Sequence, residues 1–375
     1  MGGDGIMKAL KITGIVFLFI ITFLLILIGT LYLGMRDICS SAVSSRNTFI
    51  TTILETGQFK FLASWCLSEE EIEEVVKSNS MAMPSDEKLD TSLIKISSVS
   101  DQGADIHGTD ISSSVKDNES GKQVEKDIEI IPVPGLTFQG TMMIIKDPSR
   151  LSVATIYDEK DGWPSLGVPL KDIVEMDGAI GGINGGLYNS KNNCGKNPYG
   201  VCISRGEIVR NKPTEYPNLV FVGLTEDNIL QIIDINGKTQ KEIVEMKETL
   251  KLRDGVCFQD VAYTDNNHFV TLIINGVPRE MNGKGSGLNP RTAIGQRADG
   301  ALLLLVTDGR GYNNHIGASA GDLIDIMMKF GAVNAANLDG GSSTCMYYNG
   351  EYLQNSVTLI YSQTSWRLPC AFVIH

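Results

Sequence analysis

"SAGDLIDIMMKFGAVNAANLDGGSST", residues 319–344, reads as three local structures in a row. Ser319 followed three residues later by Asp322 is a helix start, because side-chain oxygens there satisfy amides that have no partner in the first turn. Leu323, Met327 and Phe330 then share one helical face, and Gly331 can end the helix. The apolar "AANL" follows as a strand that carries Asp339 to its edge. Gly340 and Gly341 permit a sharp bend, and Ser342, Ser343 and Thr344 offer hydroxyls and backbone N–H groups beyond it. The arrangement holds an acid at the end of a buried strand and turns donors round to face it. Ordinary turn chemistry also produces Asp-Gly, but the longer D-G-G-S-S-T string is much less common by chance.

The same texture extends on both sides. "LLLLVTDGRGYNNHIGAS" (302–319) is a buried strand that delivers Asp308, Gly309 and Arg310 at its end, with His315 in the loop that follows. "IEIIPV", "TMMIIK", "LSVATIYD", "LVFVGL", "ILQIIDI", "HFVTLIING" and "LPCAFVIH" are short apolar or alternating runs bounded by Gly, Pro, Asn or Asp, as strands are. Helical stretches are fewer. The expected class is α+β, a strand-rich mixed sheet domain with a few helices, not an alternating βαβ wind.

That domain is expected over 127–375, after four smaller units: a cytoplasmic tail 1–11, a transmembrane signal anchor 12–35, a partly helical juxtamembrane segment 36–83 and a flexible linker 84–126. Residues 12–35, "ITGIVFLFIITFLLILIGTLYLGM", carry no charge, and about 20 helical residues suffice to cross a bilayer. Lys8 and Lys11 precede the span, which favours the short tail inside and the bulk outside the cytoplasm. "SEEEIEEVVKS" (68–78) has Ser68 and Glu71 in capping-box spacing. The linker is rich in Ser, Asp and Gly and poor in aromatics, so it buries too little to offset its ordering entropy; His107 lies in it.

The formal net charge of −12 argues against a nucleic-acid partner, which would require a basic face. None of the seven cysteines forms a C-x-x-C pair, so no zinc ribbon or thioredoxin-like site is expected. Cys194 and Cys202 flank a turn-rich loop and are either a disulfide or two unpaired thiols. No metal-ligand spacing stands out and no cofactor is expected, although aspartates near a phosphate could recruit a divalent ion.

Two further clusters lie at expected strand ends. "GAIGGINGGLYNS" (178–190) leads to Asn184, Gly185 and Gly186, where a backbone without Cβ can approach a ligand closely. Its spacing fits neither a dinucleotide fingerprint nor a P-loop. "NPRTAIGQRADG" (289–300) presents Arg291, able to grip a phosphate or carboxylate by two parallel bonds, with Thr292 beside it.

Taken in order, "GGINGGLYN", "RTAIG", "VTDGR", "KFGAVNAANLDGGSST" and "SWRLPCAFVI" resemble the phosphodiester glycosidase domain family over roughly 127–375. The resemblance implies hydrolysis of a sugar-1-phosphodiester, with envelope or exopolysaccharide glycans as the setting among bacterial members. Carried onto matching positions, it implies a site of Asp339, Asp308, Arg291 and Arg310 for the chemistry. Asn184, Gly185, Gly186, Thr292, Gly340, Gly341, Ser342, Ser343 and Arg367 would bind substrate. The family commonly has a third glycine after the aspartate, and here Ser342 stands in that place. The chemistry suits these residues: a departing phosphate needs little protonation, but it needs cations and N–H donors to hold its charge. The rival readings are a non-catalytic glycan-binding or assembly module and a glycosyl-phosphate transferase.

Overall fold

The computed structural model describes residues 3–56, 59–85, 87–96, 127–261, 268–357 and 364–375, with side chains from residue 11 onward. Most of the expected linker, 97–126 with His107, lies outside the described residues.

Three antiparallel sheets enclose the core, and together with the helices they make the α+β class expected. The first runs, in spatial order, through Ile128–Pro134, Gln139–Ile145, Leu302–Thr307, Arg291–Arg297, Ala332–Asn337, Thr271–Ile274 and Val277–Pro278. The second orders Glu351–Gln354, Met346–Tyr348, Gly181–Asn184, Cys370–Ile374 and Leu151–Thr155; the third orders Glu207–Asn211, Val201–Ser204, Leu252–Gln259, Leu219–Thr225 and Leu230–Asp234.

The continuous apolar run 302–306 has a simple cause: both of its faces are covered. Leu302, Leu304 and Val306 point into a core shared with Ile183 and Phe372 of the second sheet and Val222 of the third. Leu303 and Leu305 point the other way, against Leu323 and Met327 of the helix Ala320–Lys329. A strand buried on both faces loses polar alternation. The helix itself begins as its sequence requires, with the Ser319 hydroxyl accepting from the Asp322 amide and the Asp322 carboxylate accepting from the Ser319 amide.

Register places the site. Strand 291–297 lies between 302–307 and 332–337 and is antiparallel to both, with Arg291 opposite Thr307 and Ala293 opposite Asn337. The two flanking strands therefore end where the central one begins. Asp308, Arg291 and Asp339, far apart in the chain, emerge at one edge of one sheet.

Before this domain, the helix Gly3–Cys39 contains a stretch, Lys11–Cys39, long and apolar enough to cross a membrane. Cys39 is disulfide-bonded to Cys66, whereas Cys194 and Cys202 are free thiols. Helices Val43–Leu54 and Glu69–Ser78 follow, the second with both arms of the Ser68–Glu71 capping box in place. The start of the expected linker is docked rather than loose: Lys95 N donates to Ala298 O at 2.8 Å, Asp90 N to Asn275 Oδ1 at 2.8 Å, and Ile94 is buried. These few polar and apolar contacts outweigh a composition that is otherwise typical of a linker.

Candidate active site

Asp339 stands just beyond the end of strand Ala332–Asn337, one residue past Leu338, and its turn is stitched to two other segments. Leu338 N donates to Thr292 O at 2.8 Å, and Gly341 N donates to Pro290 O at 2.8 Å. Asn184, fully buried at the end of its own strand, donates through Nδ2 to Asp339 O at 2.7 Å. Its Oδ1 accepts from Thr292 Oγ1 at 2.8 Å and from Cys345 N at 3.2 Å. Asn184 and Thr292 thus lie behind the acid, holding its backbone, and Gly185 adds its carbonyl as acceptor for Asp339 N at 3.4 Å. Gly186 makes room for a neighbouring strand, since a Cβ there would stand 2.2 Å from Cys257 O.

The Asp339 carboxylate faces a cleft of about 270 Å³ whose lining includes Glu55, Arg291, Arg310, Ser342, Ser343 and Trp366. Burial lifts Asp339 to about 7, against the opposing pull of the Ser343 hydroxyl, the Gly340 amide and the Arg310 charge. A carboxyl poised there can exchange a proton near neutrality. Tyr188 continues the network, its hydroxyl 3.0 Å from Ser343 Oγ; burial and then the Asp339 charge push it well above the ordinary phenol range.

Arg310 reaches the cleft from the loop after strand 302–307. Its backbone is left-handed, φ +55°, which is uncommon for a residue with a Cβ and is a form of strain found at functional sites. Its Nη1 donates to Ser342 Oγ at 2.6 Å. Glycine suits position 341 beside it: φ is +61°, which disfavours a side chain, and a Cβ there would stand 2.6 Å from Arg310 Nη2 and push the guanidinium aside. Burial, followed by the charge on Arg291, lowers the pKa of Arg310, while Asp339 and Glu55 raise it, so all four charges act within one low-dielectric space.

Arg291 is anchored. Its Nε donates to Ala318 O at 3.2 Å, its Nη2 to Gly287 O at 2.8 Å and to Ser286 Oγ at 3.0 Å, and its guanidinium lies 5.1 Å from the centre of the Phe269 ring. Nη2 also meets Glu55 Oε2 at 2.6 Å.

Of the residues expected to form the site, Arg291, Arg310, Asp339, Gly340, Gly341, Ser342 and Ser343 line one cleft. Asn184, Gly185 and Thr292 support it from behind, as described. Asp308 is placed elsewhere: its Oδ1 accepts from Gln139 N at 2.7 Å and its Oδ2 lies 2.6 Å from His315 Nδ1, so it closes the loop that carries Arg310. Arg367 is exposed, and its backbone N donates to Asn193 Oδ1 at 2.9 Å; the neighbouring Trp366 lines the cleft instead. Among the described residues, no group of three or more His, Cys, Asp or Glu is placed to hold a metal ion. Sequence reasoning missed Glu55. It ends a helix in "ILETGQF" with no motif around it, and its partner lies 236 residues away.

Comparison with known proteins adds four findings. The chain is 40% identical over 67 residues to the SPbeta prophage-derived uncharacterized protein YomE of Bacillus subtilis, a match that spans 18% of this chain and a tenth (10%) of that relative's length. Its fold is similar to the zebrafish N-acetylglucosamine-1-phosphodiester alpha-N-acetylglucosaminidase catalytic domain auto-inhibited by pro-peptide, at 17% identity and a TM-score of 0.49 over 68% of this chain and 86% of that one. It is also similar to a hypothetical protein from Synechocystis, at 17% identity and a TM-score of 0.37 over 66% of this chain and 61% of that one. The profile of one family matches residues 177–375, more than half of the chain and all of the cleft except Glu55. By that match the chain belongs to the phosphodiester glycosidase family.

Proposed function

We propose that this chain is a membrane-anchored, extracytoplasmic hydrolase that cleaves the glycosidic bond of a sugar-1-phosphodiester in envelope or exopolysaccharide glycans. The observation that carries the reading is one cleft in which a carboxyl with a pKa of about 7 faces two guanidinium groups. In the reaction the bond from the anomeric carbon to the phosphate oxygen breaks, and its electron pair leaves on the phosphate. A water oxygen bonds to the sugar carbon; one water proton remains on the new sugar hydroxyl and the other is lost to base. Arg310, aided by Arg291, holds the charge of the departing phosphate, which is where preorganised donors contribute most. Asp339 in its ionised form serves the sugar carbon as base or nucleophile. Asp308 contributes indirectly, through the loop that presents Arg310.

The anchoring part of the proposal is supported by the apolar stretch Lys11–Cys39. The Cys39–Cys66 disulfide just beyond it suits an oxidising compartment.

The test is turnover. The full chain, purified in detergent, is incubated with a sugar-1-phosphodiester with and without an acceptor alcohol. Free sugar released in both samples is the expected result. Sugar transferred to the alcohol would make the chain a transferase. Saturable binding without turnover would make it a glycan-binding module and overturn the hydrolase reading.

A further inference from the structure

Glu55 enters the cleft from outside the family-matched residues and is held there by a built site. Its Oε1 accepts from Gly287 N at 2.6 Å. Its Oε2 accepts from Asn289 Nδ2 at 2.9 Å and from Arg291 Nη2 at 2.6 Å. The pair is almost wholly out of solvent, with side-chain exposures of 6% for Glu55 and 9% for Arg291. The loop leading to Arg291 is clasped by the same segment: Leu288 N donates to Thr52 Oγ1 at 3.0 Å, Asn79 Nδ2 to Ser286 O at 2.9 Å, and Lys284 N to Asn79 Oδ1 at 2.7 Å. A Cβ at Gly287 would stand 2.6 Å from the Thr51 backbone, so the two segments touch main chain to main chain. Glu55 is therefore a fixed wall of the cleft.

We propose that Glu55 is a specificity-determining residue: its ion pair with Arg291 cancels one of the two guanidinium charges, so the cleft takes a singly charged phosphodiester in preference to a doubly charged phosphomonoester. The proposal deepens the phosphodiester reading above and rests on it. A buried carboxylate beside an anion site is costly, and it repels a doubly charged ligand about twice as strongly as a singly charged one in the same position. A phosphodiester carries one charge at any ordinary pH, whereas a phosphomonoester, whose second pKa is about 6, carries nearly two at neutrality. The substrate of the proposed reaction is the diester and one product is the monoester. Glu55 thus weakens product binding at the site that receives the substrate. Asp339, when ionised, adds repulsion of the same sign.

The test compares dimethyl phosphate with methyl phosphate, probes of nearly equal size and unequal charge, by titration calorimetry on the full chain at pH 7.5. Glu55→Gln is expected to tighten methyl phosphate binding by about tenfold and to change dimethyl phosphate by less than about threefold. Glu55→Asp, which keeps the charge, is expected to retain the wild-type ratio of the two affinities even where both weaken. Equal shifts for the two probes in Glu55→Gln, or none, overturn the proposal. So does a Glu55→Gln chain that hydrolyses the diester much faster than wild type, because Glu55 would then be a plug that substrate displaces. A wild-type chain that binds dimethyl phosphate without hydrolysing a sugar phosphodiester sinks the hydrolase reading and leaves this one standing. Hydrolysis with an unchanged affinity ratio in Glu55→Gln does the reverse, and a wild-type chain that binds neither probe overturns the charge-selection proposal, while turnover alone decides the hydrolase reading.

Discussion

Asp308 and Asp339 share an Asp-Gly step after a buried strand and have opposite situations. Each follows a buried strand, each precedes glycine, and the strands they leave flank strand 291–297 on either side. Asp308 spends both oxygens on protein, one on the Gln139 amide and one on His315. Asp339 keeps its carboxyl toward the cleft, with its backbone rather than its side chain tied to Asn184. Burial raises Asp339 to about 7 because its donors do not fully compensate the lost water. Position in the fold brings an acid to an edge; the partners waiting there decide whether it becomes structure or chemistry.

The strongest way to break this contrast is Asp339→Asn. Turnover is expected to fall by about a thousandfold or more, measured as kcat on a sugar-1-phosphodiester, while circular dichroism stays native. The same substitution has a stability signature with a definite sign. Asp339 binds its proton more tightly folded, near 7, than unfolded, near 3.9. From about pH 4 to pH 7 the folded chain holds a proton that the unfolded chain has released, so this group's contribution falls as pH rises through that window. Thermal unfolding of wild type minus Asp339→Asn should therefore show wild type losing ground between pH 4 and pH 7. Activity should rise over the upper part of the same range as the working carboxylate forms. A flat difference in melting temperature, or activity that peaks well below pH 6, would remove the poised acid from the account.

Asp308→Asn should invert the pattern. It strips the charge from a buried, doubly bonded acceptor, so a loss of about 1–3 kcal/mol in denaturant unfolding is expected. The drop in kcat should be about tenfold or less, acting through the loop that presents Arg310. A collapse of turnover as deep as that of Asp339→Asn, with stability unchanged, would make Asp308 a reacting group after all.

Much of this was legible beforehand. The Ser319 helix start, the buried run 302–306 and the D-G-G-S-S-T turn each carry their signal within a few neighbouring residues, where propensity and capping act. What separates Asp308 from Asp339 is only partly local. His315 is seven residues from Asp308, but Gln139 and Asn184 each lie more than a hundred residues from the acid they serve. Glu55 was invisible for the same reason: an ordinary helix-end glutamate gains its meaning only when the loop 284–291 folds against it. Arg367 shows the converse, since a motif match placed a charge in the site but the backbone turned it out and put Trp366 in.

Ser342 allows the finest test. It stands where a glycine is common in the family, and its hydroxyl accepts from Arg310 Nη1 at 2.6 Å. A hydrogen bond to a charged group contributes about 1.5–3 kcal/mol when its partner has no substitute, but here a phosphate oxygen can take over the guanidinium once substrate arrives. The cost of Ser342→Gly should therefore fall on the ligand-free chain, in which Arg310 loses its guide and must be ordered by the ligand. Expected is a KM raised about three- to fivefold with kcat nearly unchanged. That split separates guidance from competition: if the hydroxyl instead holds Arg310 away from phosphate, KM falls in the variant. In that case the strained φ of Arg310 serves the resting state and not the bound one, and Asp339 would face a cleft that substrate itself must assemble.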